Sequence, residues 1–168
     1  RHAWLSPQAA RAFVFATASL ALLIALACGS SPRDVVFTSD RDGNLEIYAG
    51  LPNVESPQNL TNSLEDEHSP RVSPDGRLVA FLSGTGEVVA IEVMRVDGTE
   101  RQRLTPGSAT RRSHRWSPDS SRIAYVEGVE AESRIFVVNA DGSEPAQGTS
   151  IPGDAVGGWS RAGGQKSV

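Results

Sequence analysis

The chain is poor in the residues that most often carry chemistry. Its 168 residues include one cysteine, Cys28, so no disulfide can form within the chain and no thiolate metal site can be built. Of the three histidines, His2 lies at the front of the chain, and His68 and His114 lack the spacing of two ligands on one helix face. No Gly-x-Ser-x-Gly nucleophile turn occurs, and Gly157-Gly158 and Gly163-Gly164 precede no helix-forming run that could cradle a phosphate. Basic charge is also short. The net charge is −4, and the first 28 residues hold Arg1 and Arg11 but no acid, so the remainder carries 14 basic against 20 acidic residues. That balance argues against nucleic acid as a partner. These absences predict a protein that is not an enzyme and takes no cofactor or metal.

Long apolar runs are missing too, with one exception. From Ala12 to Cys28 only Thr17 and Ser19 are polar, and Arg11 stands just upstream. A positive flank, an apolar stretch and a small-residue exit describe an export signal. Ala25-Leu26-Ala27-Cys28-Gly29 resembles a bacterial lipoprotein signal, with Cys28 as the lipidated residue, although Ala25 stands where that family usually has Leu. A cleaved signal, a retained anchor and a buried helix are the other readings. Residues 1–28 are therefore expected to be a signal peptide or membrane anchor. The remainder is then periplasmic or at the cell surface.

Past that segment no stretch keeps a 3.6-residue period, and Gly and Pro punctuate short apolar runs, which predicts an all-β protein. The runs repeat. Ser73-Pro74-Asp75-Gly76 leads into Leu78-Val79-Ala80-Phe81-Leu82, Ser117-Pro118-Asp119-Ser120 into Ile123-Ala124-Tyr125-Val126, and Ser31-Pro32-Arg33-Asp34 into Val35-Val36-Phe37. Phe37, Phe81 and Tyr125 mark a step of 44 residues taken twice. Leu60-Thr61 and Leu104-Thr105 keep the same step, as do Asp97-Gly98 and Asp141-Gly142, and Arg71-Val72 and Arg115-Trp116; Trp159 closes the third unit one residue early. Three units follow, at about 34–72, 77–116 and 122–159 within residues 29–163, with a tail at 164–168. Each unit reads as four short strands. In unit two these are Leu78 to Ser83, Val88 to Met94, Arg101 to Thr105 and Ser113 to Trp116. Asp42-Gly43, Asp97-Gly98 and Asp141-Gly142 are turn pairs. Strands apolar on both faces need cover on both sides. A four-stranded unit of about 40–45 residues is the signature of a β-propeller blade. The predicted fold is thus a partial propeller of about three four-stranded blades behind an N-terminal hydrophobic export or anchor helix. Trp116, Trp159 and the recurring aromatics are read as packing between blades.

Val36-Phe37-Thr38-Ser39-Asp40-Arg41-Asp42-Gly43-Asn44-Leu45-Glu46-Ile47-Tyr48 resembles the repeat of TolB-like propellers, as do Leu60-Thr61-Asn62, His68-Ser69-Pro70-Arg71 and the Ser-Pro-Asp-Gly turns. The resemblance covers about 34–159. It implies a module of the cell envelope that binds protein partners without catalysis. Similar repeats cover the entrance of prolyl-oligopeptidase-type serine peptidases, so the alternatives are a fragment of such an enzyme's propeller, or a propeller that binds sugar or metal. Three units are fewer than the six typical of the family. The arc is therefore expected to be part of a longer chain or to be completed by self-association. The third unit departs further: Gln147-Gly148 is read in place of the Leu-Thr pair, and Ser160-Arg161-Ala162-Gly163 in place of Ser-Pro-Asp-Gly.

The remaining polar groups have modest readings. Arg101, Arg103, Arg111, Arg112 and Arg115 read as a solvated basic face, and Glu65, Asp66, Glu67 and His68 as a solvated acidic loop. Asp40, Asp42 and Asn44 have the alternation of a calcium loop without its Gly and terminal Glu, so a turn held by side-chain bonds is expected.

Overall fold

The computed structural model describes residues 35–51, 56–143, 146–149 and 156–160. The expected export segment with Cys28, the Ser31-Pro32 turn and the tail lie outside the described residues. Among the described residues no helix is long and apolar enough to cross a membrane.

The described chain is all-β, in three antiparallel sheets. The first holds β1 (Val35–Ser39), β2 (Glu46–Gly50) and β3 (Gln58–Asn59) in that order. The second holds β4 (Glu67–Val72), β5 (Leu78–Thr85), β6 (Val88–Arg95) and β7 (Gln102–Arg103). The third holds β8 (Arg111–Trp116), β9 (Arg122–Glu127), β10 (Arg134–Asn139) and β11 (Ala146–Gln147). The sequence step is a structural step. Phe37 pairs with Tyr48, Phe81 with Glu92 and Tyr125 with Phe136, so both members of each pair recur every 44 residues.

Hydrogen bonds keep the same register. The amides of Leu60, Leu104 and Gly148 donate to the carbonyls of Ile47, Ile91 and Ile135 at 2.8, 2.8 and 2.7 Å. The amides of Ile47, Ile91 and Ile135 donate in turn to the hydroxyls of Thr61, Thr105 and Thr149 at 3.0, 2.9 and 3.3 Å. This corrects the reading of the third unit. Gly148-Thr149, not Gln147-Gly148, holds the Leu-Thr position, and the threonine that closes the strand is retained.

A second correction concerns the frame. The repeat pattern places Ser113 to Trp116 in the unit containing β5 to β7, but β8 pairs with β9 and opens the third sheet. Likewise β4 pairs with β5 and opens the second. Each Ser-Pro-Asp turn therefore joins two strands of one sheet. Ser73 and Ser117 are buried there, accepting from the amides of Leu78 and Arg122 at 3.0 and 2.9 Å and donating to Asp75 and Asp119. Gly76 and Ser120 close these turns in the left-handed region, at φ 74° and 61°. Glycine takes that conformation without strain, and Ser120 does so at some cost. Both opening strands carry a bulge at equivalent places, with Ser69 and Ser113 at φ 57° and 47°.

The second sheet has no wet face. Val79, Phe81 and Met94 pack against Ile47 and Leu60 of the first sheet. On the other side Ala80, Leu82, Ile91 and Val93 pack against Ile123, Tyr125 and Val138 of the third. Each Val, Leu, Ile, Phe or Met among them contributes roughly 1.5–3 kcal/mol on burial, which a lone sheet could not collect on both faces. The Trp116 indole N–H ties the third sheet to the second by donating to the Arg71 carbonyl at 2.8 Å.

Candidate functional site

Where a chain repeats, its own copies show what the scaffold requires, and departures show what is local. The largest departures fall on the second sheet. Glu92 stands where the other sheets have Tyr48 and Phe136, Arg101 where they have Pro57 and Pro145, and Arg103 where they have Asn59 and Gln147. In the first and third sheets the corresponding aromatic pairs stack, Phe37 on Tyr48 at 5.9 Å and Tyr125 on Phe136 at 5.6 Å. In the second, Arg101 lies over the Phe81 ring at 5.3 Å instead.

These substitutions build an ionic network in which the central carboxylates are buried while Arg101, Arg103 and Glu65 reach solvent. Glu67 is 0% exposed, and Glu46 and Glu92 are each 2% exposed. Arg101 binds Glu67 at 2.8 Å and Glu92 at 2.5 Å, and Arg103 binds Glu92 at 2.8 Å and Glu65 at 3.0 Å. The Ser63 hydroxyl donates to Glu67 at 2.6 Å, and the Ser63 amide to Glu46 at 2.7 Å. Thr61 also donates its hydroxyl to Glu46. Burial pushes the Glu67 carboxyl up, and Glu46 beside it adds to the rise, against the pull of Ser63 and Arg101. Oε2 of Glu67 has no hydrogen-bond partner among the described residues. Burial pulls the Arg101 guanidinium down, but its bonds to Glu92 and Glu67 outweigh that and leave it raised. The Ser83 hydroxyl, then Arg103, hold Glu65 below the usual carboxylate range.

The network opens onto a cleft at the end of the second sheet. The cleft has a volume of about 450 Å³ and is lined by Leu64, Glu65, Asp66, Ser83, Gly84, Thr85, Val88, Arg103 and Gly107. Leu64 is fully exposed and Val88 is 59% exposed, so two apolar side chains stand beside a charged wall. The wall is rigid: Ser83 donates to Glu65 at 2.7 Å, and Asp66 accepts from the Leu45 amide at 3.0 Å.

Two expectations are thereby overturned. The acidic loop and the basic cluster are not separate solvated faces. Glu65 and Glu67 on one side, and Arg101 and Arg103 on the other, are halves of one network. Arg111, unlike Arg101 and Arg103, is buried, donating to the Val89 carbonyl at 2.7 Å and pairing with Glu127 at 2.7 Å. The signal available beforehand was positional: Arg101 and Glu92 break the 44-residue pattern at places that are apolar in the other copies. Asp42 lies in the expected turn, and its carboxylate also reaches beyond it. It accepts from the Tyr48 hydroxyl and from Asn59, while Asn44 donates to the Glu65 carbonyl at 2.7 Å, clamping the loop before β4. Burial first, then Asp42, push the Tyr48 hydroxyl up to about 12. Among the described residues no group of three or more His, Cys, Asp or Glu side chains could hold a metal ion.

The repeat-defining residues lie in the scaffold. Phe37, Phe81 and Tyr125 hold equivalent points on β1, β5 and β9. Ser73 to Gly76 and Ser117 to Asp119 form the turns into β5 and β9. In Asp97-Gly98 and Asp141-Gly142, the aspartates accept from the Thr99 and Ser143 amides at 3.0 and 2.9 Å. Gly43 closes its turn on the Asp40 carbonyl at 3.0 Å. None of these residues lines the cleft.

A model of the TolB beta propeller domain matches residues 29–162. Among solved structures the chain is similar to a protein assigned as TolB from Agrobacterium tumefaciens, at 23% identity and TM-score 0.58, over 68% of this chain and 44% of that one. It is similar to TolB from Acinetobacter baumannii at 16% and 0.57, over 73% and 31% of the two chains. Oligogalacturonate lyase from Vibrio parahaemolyticus is similar at 17% and 0.53, over 68% and 36%. The chain spans less than half the length of each, and at these identities the likeness shows the fold alone. No curated protein matches the chain.

Proposed function

The chain belongs to the TolB beta propeller domain family, and on that premise we propose that it is a non-catalytic binding module, exported to the cell envelope, that offers the cleft on its second sheet to a protein partner. The observation that carries this reading is the pair Leu64 and Val88, exposed beside the Glu65–Arg103 ion pair. An apolar centre with a polar rim is the anatomy of a protein–protein interface. Of the departures from the repeat, Arg103 lines the cleft, and Glu92 and Arg101 join it through the ionic network behind that wall. The apolar segment from Ala12 to Cys28 supports export.

Photo-crosslinking in cells tests the reading. A chain with benzoylphenylalanine in place of Leu64 is expected to form one discrete adduct with an envelope protein, and Val88→Asp in the same chain should remove it. Absence of an adduct, or an adduct indifferent to Val88→Asp, contradicts the proposal.

A further inference from the structure

The opening strands β4 and β8 stand at the edges of their sheets, each paired on one side only. Their accessible residues repeat a single chemistry. His68, Ser69 and Arg71 of β4 are matched 44 residues on by Arg112, Ser113 and Arg115 of β8. Ser69, Arg71, Arg112 and Ser113 are exposed, and His68 and Arg115 are half-buried. Each of the six can donate a hydrogen bond, and none is a carboxylate. The one acid on either strand, Glu67, is buried and engaged with Ser63 and Arg101.

The two triplets are neighbours. The Trp116 indole N–H, next in chain to Arg115, donates to the Arg71 carbonyl at 2.8 Å. Burial, then repulsion from Arg115, pull the Arg71 guanidinium below its usual range, and no carboxylate offsets them. Among the described residues Arg71, Arg112 and Arg115 make no ion pair, whereas Arg101, Arg103 and Arg111 each bind a glutamate. Arg115 donates to the His114 carbonyl at 3.0 Å, and the Ser69 hydroxyl meets Nδ1 of His68 at 3.0 Å. Charge on an edge strand deters pairing with another sheet, but acids serve that end equally. Six donors at matched positions, without one acid among them, go beyond it.

We propose that the edges of β4 and β8 together bind an acidic segment of a protein partner, with Arg71 and Arg115 each taking a carboxylate and Arg112, Ser69 and Ser113 supplying further donors. Two N–H groups of one guanidinium meet both oxygens of a carboxylate, which gives arginine a strength and direction that lysine lacks. The occupant is a short acidic segment and not nucleic acid. Beyond residue 28 the chain carries 14 basic against 20 acidic residues, and that balance repels a long polyanion. The surface shares no residue with the cleft. Loss of the Leu64 adduct therefore leaves this proposal untouched, and loss of acid binding leaves the cleft reading untouched.

Fluorescence anisotropy of a labelled octa-aspartate peptide, titrated with the full chain at low ionic strength, tests this. Binding is expected to weaken about tenfold in Arg71→Gln and in Arg115→Gln, and to be lost in the double variant. Arg95→Gln removes the same charge from β6 and should leave binding unchanged. Arg71→Lys keeps the charge without the fork and is expected to recover only part of the affinity. No binding by the unaltered chain, or equal weakening by Arg95→Gln, overturns the proposal. Displacement of the peptide by inorganic phosphate at matched charge would make this a small-anion site and overturns the assignment of an acidic segment. Should a variant fail to fold, the unaltered chain decides. The peptide is expected to protect Arg71 and Arg115, but not Arg95, from phenylglyoxal, as read by mass spectrometry. Equal modification with and without the peptide overturns the proposal as well.

Discussion

Arg101→Met is expected to lower the unfolding free energy by about 3 kcal/mol, because it takes a charged partner from two buried carboxylates. Glu67 and Glu92 lose a donor each, and neither has water to turn to. Arg103 still holds Glu92 at 2.8 Å, which keeps the loss from being larger. The effect should depend on pH. The folded-state carboxyl of Glu67 is raised, so its proton is lost as pH rises, and without Arg101 the resulting anion is uncompensated. The deficit of the variant therefore grows from acidic to neutral pH, and Glu67→Gln added to Arg101→Met should reduce that growth. Replacing the trio together, as Glu67→Leu, Glu92→Leu and Arg101→Met, should restore most of the stability, since apolar residues of similar volume often match a buried ionic cluster. Urea denaturation reads all of these. A single-variant loss under 1 kcal/mol would show that the network contributes little to holding the sheets.

The second large effect concerns His114. The ring is 1% exposed in the bulge of β8, with Nε2 placed to donate to the Ala80 carbonyl at 3.3 Å. Burial holds its pKa down at about 4, against the Ala80 bond and with added repulsion from Arg71, Arg115 and His68. In the unfolded chain the ring takes up a proton near pH 6.5. Between these values the unfolded state binds the additional proton, so stability falls as pH drops from about 6.5 to 4, by up to about 3 kcal/mol. Above about 6.5 the ring is neutral in both states and the effect is absent. His114→Gln, which can keep a donor toward Ala80, should flatten the stability profile across that window. An unchanged slope would place the acid sensitivity elsewhere.

The fold was legible because it is periodic. Phe37, Phe81 and Tyr125 carried the pitch, and the Ser-Pro-Asp turns carried the starts of strands. The sequence could not show which strands share a sheet. The opening strands, β4 and β8, are short and polar on one side, and a turn of five residues looks the same whether it joins two sheets or two strands of one. Only the pairing of Trp116 with Ile123 decides that. The third unit was misaligned by one residue because Gly148 lacks the leucine side chain, while Thr149 keeps the hydrogen bond that matters. The cleft was hidden for another reason. Glu65, Glu67, Arg101 and Arg103 lie up to 38 residues apart, and each run alone has the composition of a solvated loop. Comparing the copies with one another, position by position, would have flagged Glu92 and Arg101 as charges at apolar places.

The account rests on equivalent sheets, of which the second and third are each opened by a strand that the sequence pattern places in the repeat before it. A map of backbone nuclear Overhauser contacts tests this directly. It should link Val72 to Val79 and Trp116 to Ile123, and show none between Trp116 and Arg103. A strand at residues 111–116 paired with 102–103 would place it in the second sheet and contradict the account.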